Sequence, residues 1–224
     1  MERKLANQNF NLLNVLPVTT RVHTANDLSI AQADSKPLRI ITTFRTEIDV
    51  VKHVIEHDGV GEAHSALEDA LKNSATYKGW QNSMPYLRDV PNIHAFRNKP
   101  RHTNDVTLVD AEIVECGGYL PKGQILYRGG RFQAIDSSIN DGPISTSLMP
   151  SVARWHAIEV SGEIAIFEVA EDNKIRAFAF KTRGNQNLKR EYEVLLQNNI
   201  RLEYMKSSRH CNMKIHNFKV YANA

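Results

Sequence analysis

Residues 144–157 read Ile-Ser-Thr-Ser-Leu-Met-Pro-Ser-Val-Ala-Arg-Trp-His-Ala. The first four residues form a short β-prone run. Alternation with period two puts Ser145 and Ser147 on one face and Thr146 on the other. A helix follows between residues 150 and 160, with Val152, Trp155, His156 and Ile158 or Glu159 near one side. Around this strand-to-helix unit lie other short β-prone runs at residues 124–127, 163–169, 175–180, 192–196, 200–204 and 213–221, separated by Gly, Asn, Asp and Ser. The second half of the chain is therefore strand-rich with one inserted helix.

The first half has a different texture. Residues 38–44 are β-prone. From Glu47 the pattern turns helical, with Ile48, Val51, Val54 and Ile55 at helical spacing and Gly59 and Gly61 ending the stretch. A second helix is predicted over 62–71, with Ala63, Ala66, Leu67, Ala70 and Leu71 on one face. Residues 73–104, with Pro85, Pro91 and Pro100, read as loop, and 106–115 as either helix or strand. Residues 1–36 are polar and read as a poorly ordered arm or a short docking strand. Helices first and strands afterwards predict an α+β fold.

Composition narrows the class. At 224 residues the chain can bury a real core as one large domain or two small ones. A net charge of +3 permits a nucleic-acid partner without demanding one. Cys116 and Cys211 lack metal-like spacing and read as free thiols of a cytoplasmic protein, with a single disulfide left open. Asn7, Gln8, Asn9, Asn11 and Asn14 interrupt the N-terminal stretch, so neither a secretory signal nor a membrane span is expected.

Three strings in the second half carry chemistry: Tyr127-Arg128-Gly129, Ser145-Thr146-Ser147 and Glu191-Tyr192-Glu193. A guanidinium at a strand end can grip a phosphate bidentately, and Gly129 and Gly130 let a backbone approach a ligand. Glu191 and Glu193 are expected on one strand face with Tyr192 opposite. Two such carboxylates repel, so structure alone does not favour them. A fourth string, His53-Val54-Ile55-Glu56-His57, has the spacing of an inverted zinc-peptidase motif. It lacks an evident third protein ligand on another helix, and its plain reading is a solvated helix face.

In this order, the three strings resemble the arginine, Ser-Thr-Ser and Glu-X-Glu signature of mono-ADP-ribosyltransferases of the bacterial-toxin and phage type. The resemblance covers roughly residues 119–222. It implies a mixed β-core with the NAD site over 119–224, a helical lobe over 37–118, and one catalytic domain over 37–224. NAD would be a substrate, and no metal is needed. By the same resemblance Arg128 holds the NAD phosphates, and Ser145 sets Glu193 and the ribose. Glu193 stabilises the oxocarbenium-like cation, and Glu191 activates the acceptor. Tyr127, Gly129, Thr146, Ser147 and Trp155 complete the NAD-binding set.

Two carboxylates spaced by one residue resemble the arginine-modifying branch, so the expected acceptor is a protein arginine. RNA comes second, because residues 181–190 carry Lys181, Arg183, Lys189 and Arg190 without an acid. The stretch from Arg201 to Ala224 interleaves Lys206, Arg209, Lys214 and Lys219 with Tyr204, Phe218 and Tyr221. That pattern leaves open a nucleic-acid-binding module without catalysis. Family habit adds a cognate antitoxin or immunity protein as a partner.

Overall fold

The structure is a computed structural model that describes residues 9–22, 40–57, 61–98, 105–132, 137–160, 162–181 and 192–223. Strand β1 (Val18–Val22) pairs antiparallel with β2 (Ile40–Phe44) in a small separate sheet. Helix α1 (Glu47–Glu56) starts at a capping box in which Thr46 and Asp49 each bond the other's backbone N–H. It buries Val50, Val51, Val54 and Ile55. Helix α2 (Glu62–Asn73) buries Ala63, Leu67 and Leu71. Both helices follow the periodicity of their apolar residues.

The stretch that reads as loop contains two further helices, α3 (Ala75–Ser83) and α4 (Pro91–Asn98), joined by a 3-10 turn at Leu87–Asp89. Ser74 caps α3 by accepting from Tyr77 N, and Tyr77 and Trp80 are buried. Proline opens α4, where its missing N–H costs nothing. The capping group of α4 comes from elsewhere in the chain. Glu112 accepts from Asn92 N at 3.1 Å, Asn92 Nδ2 at 2.7 Å and Ile93 N at 2.8 Å. Glu112 sits on α5 (Val106–Cys116), whose sequence fits helix or strand and which folds as helix.

Part of the polar N-terminal stretch is packed. Phe10 N donates to Tyr119 O, and the Phe10 ring stacks on Trp80 with centroids 4.4 Å apart. Fully buried Gln124 accepts from Leu13 N at 2.8 Å and donates to Leu13 O at 3.1 Å, as a strand neighbour would. Residues 1–8 and 23–36 lie outside the described residues.

The second half builds a nine-stranded sheet from β3 (Gly118–Tyr119), β4 (Ile125–Gly130), β5 (Ser137–Ile139), β6 (Ile144–Ser147), β7 (Glu163–Val169), β8 (Arg176–Ala179), β9 (Glu193–Leu196), β10 (Ile200–His210) and β11 (Met213–Ala222). The order is β3-β8-β9-β6-β4-β7-β11-β10-β5. Its pairings are antiparallel except β7–β11, so the sheet is mixed and the fold is α+β. Leu126 and Phe167 enter the larger core cluster on one face, with Ile113, Phe178 and Leu195. Their strand neighbours Tyr127 and Ile166 enter a second cluster on the other face, with Val51, Ile55, Ala153 and Ala157. The inserted helix α6 (Pro150–Glu159) covers that second face. Among the described residues no helix is long and apolar enough to cross a membrane.

Candidate active site

Antiparallel pairing between β4 and β6 is limited to one residue pair, Tyr127 with Ser147. Beyond it the two strands part, and the Arg128 guanidinium donates to the Ser145 carbonyl where the ladder would have continued. A cavity of about 650 Å³ opens there, a size typical of small-molecule sites. Arg128, Arg131, Ser145, His156, Glu159 and Glu193 are among its charged and polar groups, with Glu159 Oε2 3.5 Å from His156 Nδ1.

Glu193 opens β9, and its carboxylate is held from two sides. Ser145 Oγ donates to Oε1 at 2.7 Å. Arg97, reaching in from α4, lies with Nε 3.0 Å from Oε2. The Arg97 and Glu193 side chains are only 8% and 11% exposed, which makes this an ion pair largely withdrawn from water. The Arg97 guanidinium also stacks over the Phe180 ring at 4.5 Å. One cluster therefore joins Arg128, Ser145, Glu193 and Arg97. One cation, Arg97, and one hydroxyl, Ser145, hold a single carboxylate at the cavity wall, and Arg128 joins them through the Ser145 carbonyl. Sequence reasoning missed Arg97, because the helix that carries it reads as loop.

The other Ser-Thr-Ser members have structural duties. Thr146 Oγ1 donates to Val194 O at 2.6 Å, tying β6 to β9. Ser147 Oγ accepts from Met149 N at 2.9 Å and so shapes the turn into α6. Both residues are buried, and both border the cavity.

No family model matches the chain, and no curated protein matches it by sequence. In structure the chain is similar to bacterial ADP-ribosyltransferases. One match is the ADP-ribosyltransferase Vis from Vibrio splendidus, in complex with an inhibitor, at 16% identity and a TM-score of 0.44, covering 79% of this chain and 86% of that one. Exoenzyme S from Pseudomonas aeruginosa matches at 16% identity and a TM-score of 0.38, covering 87% and 88%. An ADP-ribosyltransferase from Clostridium botulinum matches at 16% identity and a TM-score of 0.37, covering 80% and 98%. A likeness at this level assigns no activity by itself.

Of the other residues expected to bind NAD, Tyr127 and Gly129 border the cavity and Trp155 does not. Trp155 is 54% exposed. The phase of α6 instead turns Val152, Ala153, His156, Glu159 and Val160 toward it, with His156 one residue on from the expected aromatic. Tyr127 borders the cavity, while its side chain is buried in the second core cluster. Burial, reinforced by the Glu47 carboxylate, raises its phenol pKa above the ordinary range. Gly129 serves helix packing: a Cβ there would stand 1.9 Å from Ala153 O and 2.5 Å from Ala157 N. Glycine thus lets the α6 backbone lie directly on β4.

Strand β9 begins at Glu193, and Tyr192 just before it has a left-handed φ of 46°. Tyr192 is buried. Its hydroxyl donates to Glu68 Oε1 at 3.0 Å, and its carbonyl accepts from Leu148 N. Burial raises the Glu68 carboxyl, but the hydrogen bonds from Lys72 and Tyr192 outweigh it, so its pKa is lowered on balance. Glu191 and residues 182–190 of the basic stretch lie outside the described residues.

Proposed function

We propose that this protein is an NAD-dependent mono-ADP-ribosyltransferase. The observation that carries the reading is the Ser145–Glu193 hydrogen bond, set beside Arg128 in the cavity where β4 and β6 part. NAD presents a doubly anionic pyrophosphate, a ribose, and a nicotinamide that leaves as a neutral amine. Arg128 holds the pyrophosphate, with Arg131 and His156 adding positive or polar character to the same wall. Glu193, fixed by Ser145, faces the ribose. As the bond between C1′ and the nicotinamide nitrogen breaks, its electron pair leaves with nicotinamide, and positive charge grows on C1′ and the ring oxygen. A preplaced carboxylate stabilises that charge. The acceptor nitrogen then bonds to C1′ and gives up its proton, which Glu191 takes. Arg97 keeps the Glu193 carboxylate aimed before NAD arrives.

The acceptor on this reading is a protein arginine, in keeping with the Glu-X-Glu spacing. The setting is an intracellular toxin or phage host-modifying enzyme, with an antitoxin or immunity protein as a natural partner. RNA is the second acceptor, favoured by the basic residues 181–190 and the cationic C-terminal strands.

The deciding experiment incubates labelled NAD with a cell lysate and either wild-type or Glu193→Ala protein, then separates protein from RNA. Glu193-dependent label in protein, released by hydroxylamine, supports the arginine acceptor, and label in RNA moves the acceptor there. If NAD stays intact and nothing is labelled, the enzyme reading fails, and salt-dependent RNA binding by the inactive variant would favour a binding module. Glu191→Ala is expected to cut transfer far more than NAD hydrolysis, because water needs no positioned acceptor base. Equal losses would remove Glu191 from that role.

A further inference from the structure

The His53-Val54-Ile55-Glu56-His57 string lies over the last turns of α1, away from the cavity residues. Positions i, i+3 and i+4 share a helix face, and here the side chains converge. One ligand-capable atom from each of His53, Glu56 and His57 lies within 4.8 Å of the others. The two imidazoles stack with centroids 4.0 Å apart.

Hydrogen bonds already orient two of the three groups. His57 Nδ1 sits 3.0 Å from His53 O. A carbonyl can only accept, so Nδ1 carries the proton and Nε2 presents a lone pair, an arrangement usual for metal-bound histidine. From the far end of β10, His210 Nε2 lies 2.6 Å from Glu56 Oε1 and orients that carboxylate. This contact ties the last turn of α1 to the distant β10–β11 hairpin.

We propose that His53, Glu56 and His57 form a binding site for a zinc-type divalent transition metal, with His210 positioning Glu56. Two imidazoles and one carboxylate suit zinc better than calcium or magnesium, which prefer all-oxygen shells. Water fills the rest of the coordination sphere. Through the His210–Glu56 contact, metal binding at α1 also braces the β10–β11 hairpin. The site makes no use of NAD and stands whether or not the proposed enzyme activity holds.

The test uses the untagged full chain, stripped with a chelator and titrated separately with Zn²⁺ and Co²⁺. Wild type is expected to bind one equivalent, to unfold at a higher temperature as Zn²⁺ is added, and to give a Co²⁺ spectrum without thiolate charge transfer. His57→Ala and Glu56→Gln should each weaken binding at least tenfold while keeping a wild-type circular dichroism spectrum. His210→Ala should weaken it about 10–100-fold, as loss of an orienting partner does. Cys211→Ser, beside His210, should change nothing. Absence of saturable binding, binding indifferent to His57 and Glu56, or binding lost with Cys211 would each overturn the proposal.

Discussion

Glu193 shows how a single side chain can be costly to bury and still be retained. Its carboxylate and the Arg97 guanidinium are both largely withdrawn from water, so removing either leaves the other without its main compensation. Such a loss costs about 3–5 kcal/mol, whereas an apolar or neutral pair in the same space can be nearly neutral. Arg97→Met and Glu193→Gln are each expected to lower the denaturant midpoint, and the double variant to fall well short of their sum. Additive losses in that cycle would show that the two groups are not coupled. Gly129 is constrained by neighbours instead of chemistry. Gly129→Ala would drive a methyl group into the Ala153 carbonyl and cost about 3 kcal/mol, the upper end for an overpacked core. Chemical denaturation measures this directly, and a neutral result would mean α6 can lift from β4. Arg128, Ser145 and Glu193 are legible in the sequence because the three strings that hold them, taken in order, resemble a known signature. Arg97 is not, since nothing local distinguishes it from a surface arginine; only the fold brings it to Glu193.

At the scale of elements, legibility tracks hydrophobic periodicity. The α1, α2 and α6 helices and most strands of the large sheet carry apolar residues at the right spacing, and their sequence bounds lie close to the observed ones. The α3 and α4 helices escape such a reading, because Asn, Gln, Ser and Gly dilute their pattern and their stability is tertiary: buried Tyr77 and Trp80 for one, the distant Glu112 carboxylate for the other. The hairpin extension from Met205 to His210 escapes it for a related reason. It is polar and exposed, and ladder bonds to β11 hold it. Glu112→Ala is expected to cost about 2 kcal/mol, the high end for a lost helix cap, because one carboxylate serves three donors. On the proposed function it should also reduce NAD cleavage, by loosening the helix that carries Arg97. A variant as stable and active as wild type would show that α4 needs no help from α5.

For the whole molecule, the buried phenols set an alkaline limit. Burial raises Tyr77 above the ordinary phenol range, as it does Tyr127. In both, the folded-state pKa exceeds the unfolded value. The stability from keeping them neutral is therefore intact below about pH 10 and is lost as pH rises further. Of the seven tyrosines, fewer than seven should ionise reversibly in an ultraviolet titration before the protein unfolds. Ionisation of all seven with the fold intact would contradict this. Tyr77→Phe with Tyr127→Phe should flatten the alkaline decline.

The sheet register also fixes an order of events during synthesis. Leu13 must wait for Gln124, β6 for β9, and β7 for β11. Ribosomes add about 5–20 residues per second, so the 48 residues that separate Ser145 from Glu193 take roughly 2–10 s. Throughout that interval Ser145 has no Glu193 to bond. On the proposed function, a growing chain cannot cleave NAD before Glu193 has been added and has reached Ser145.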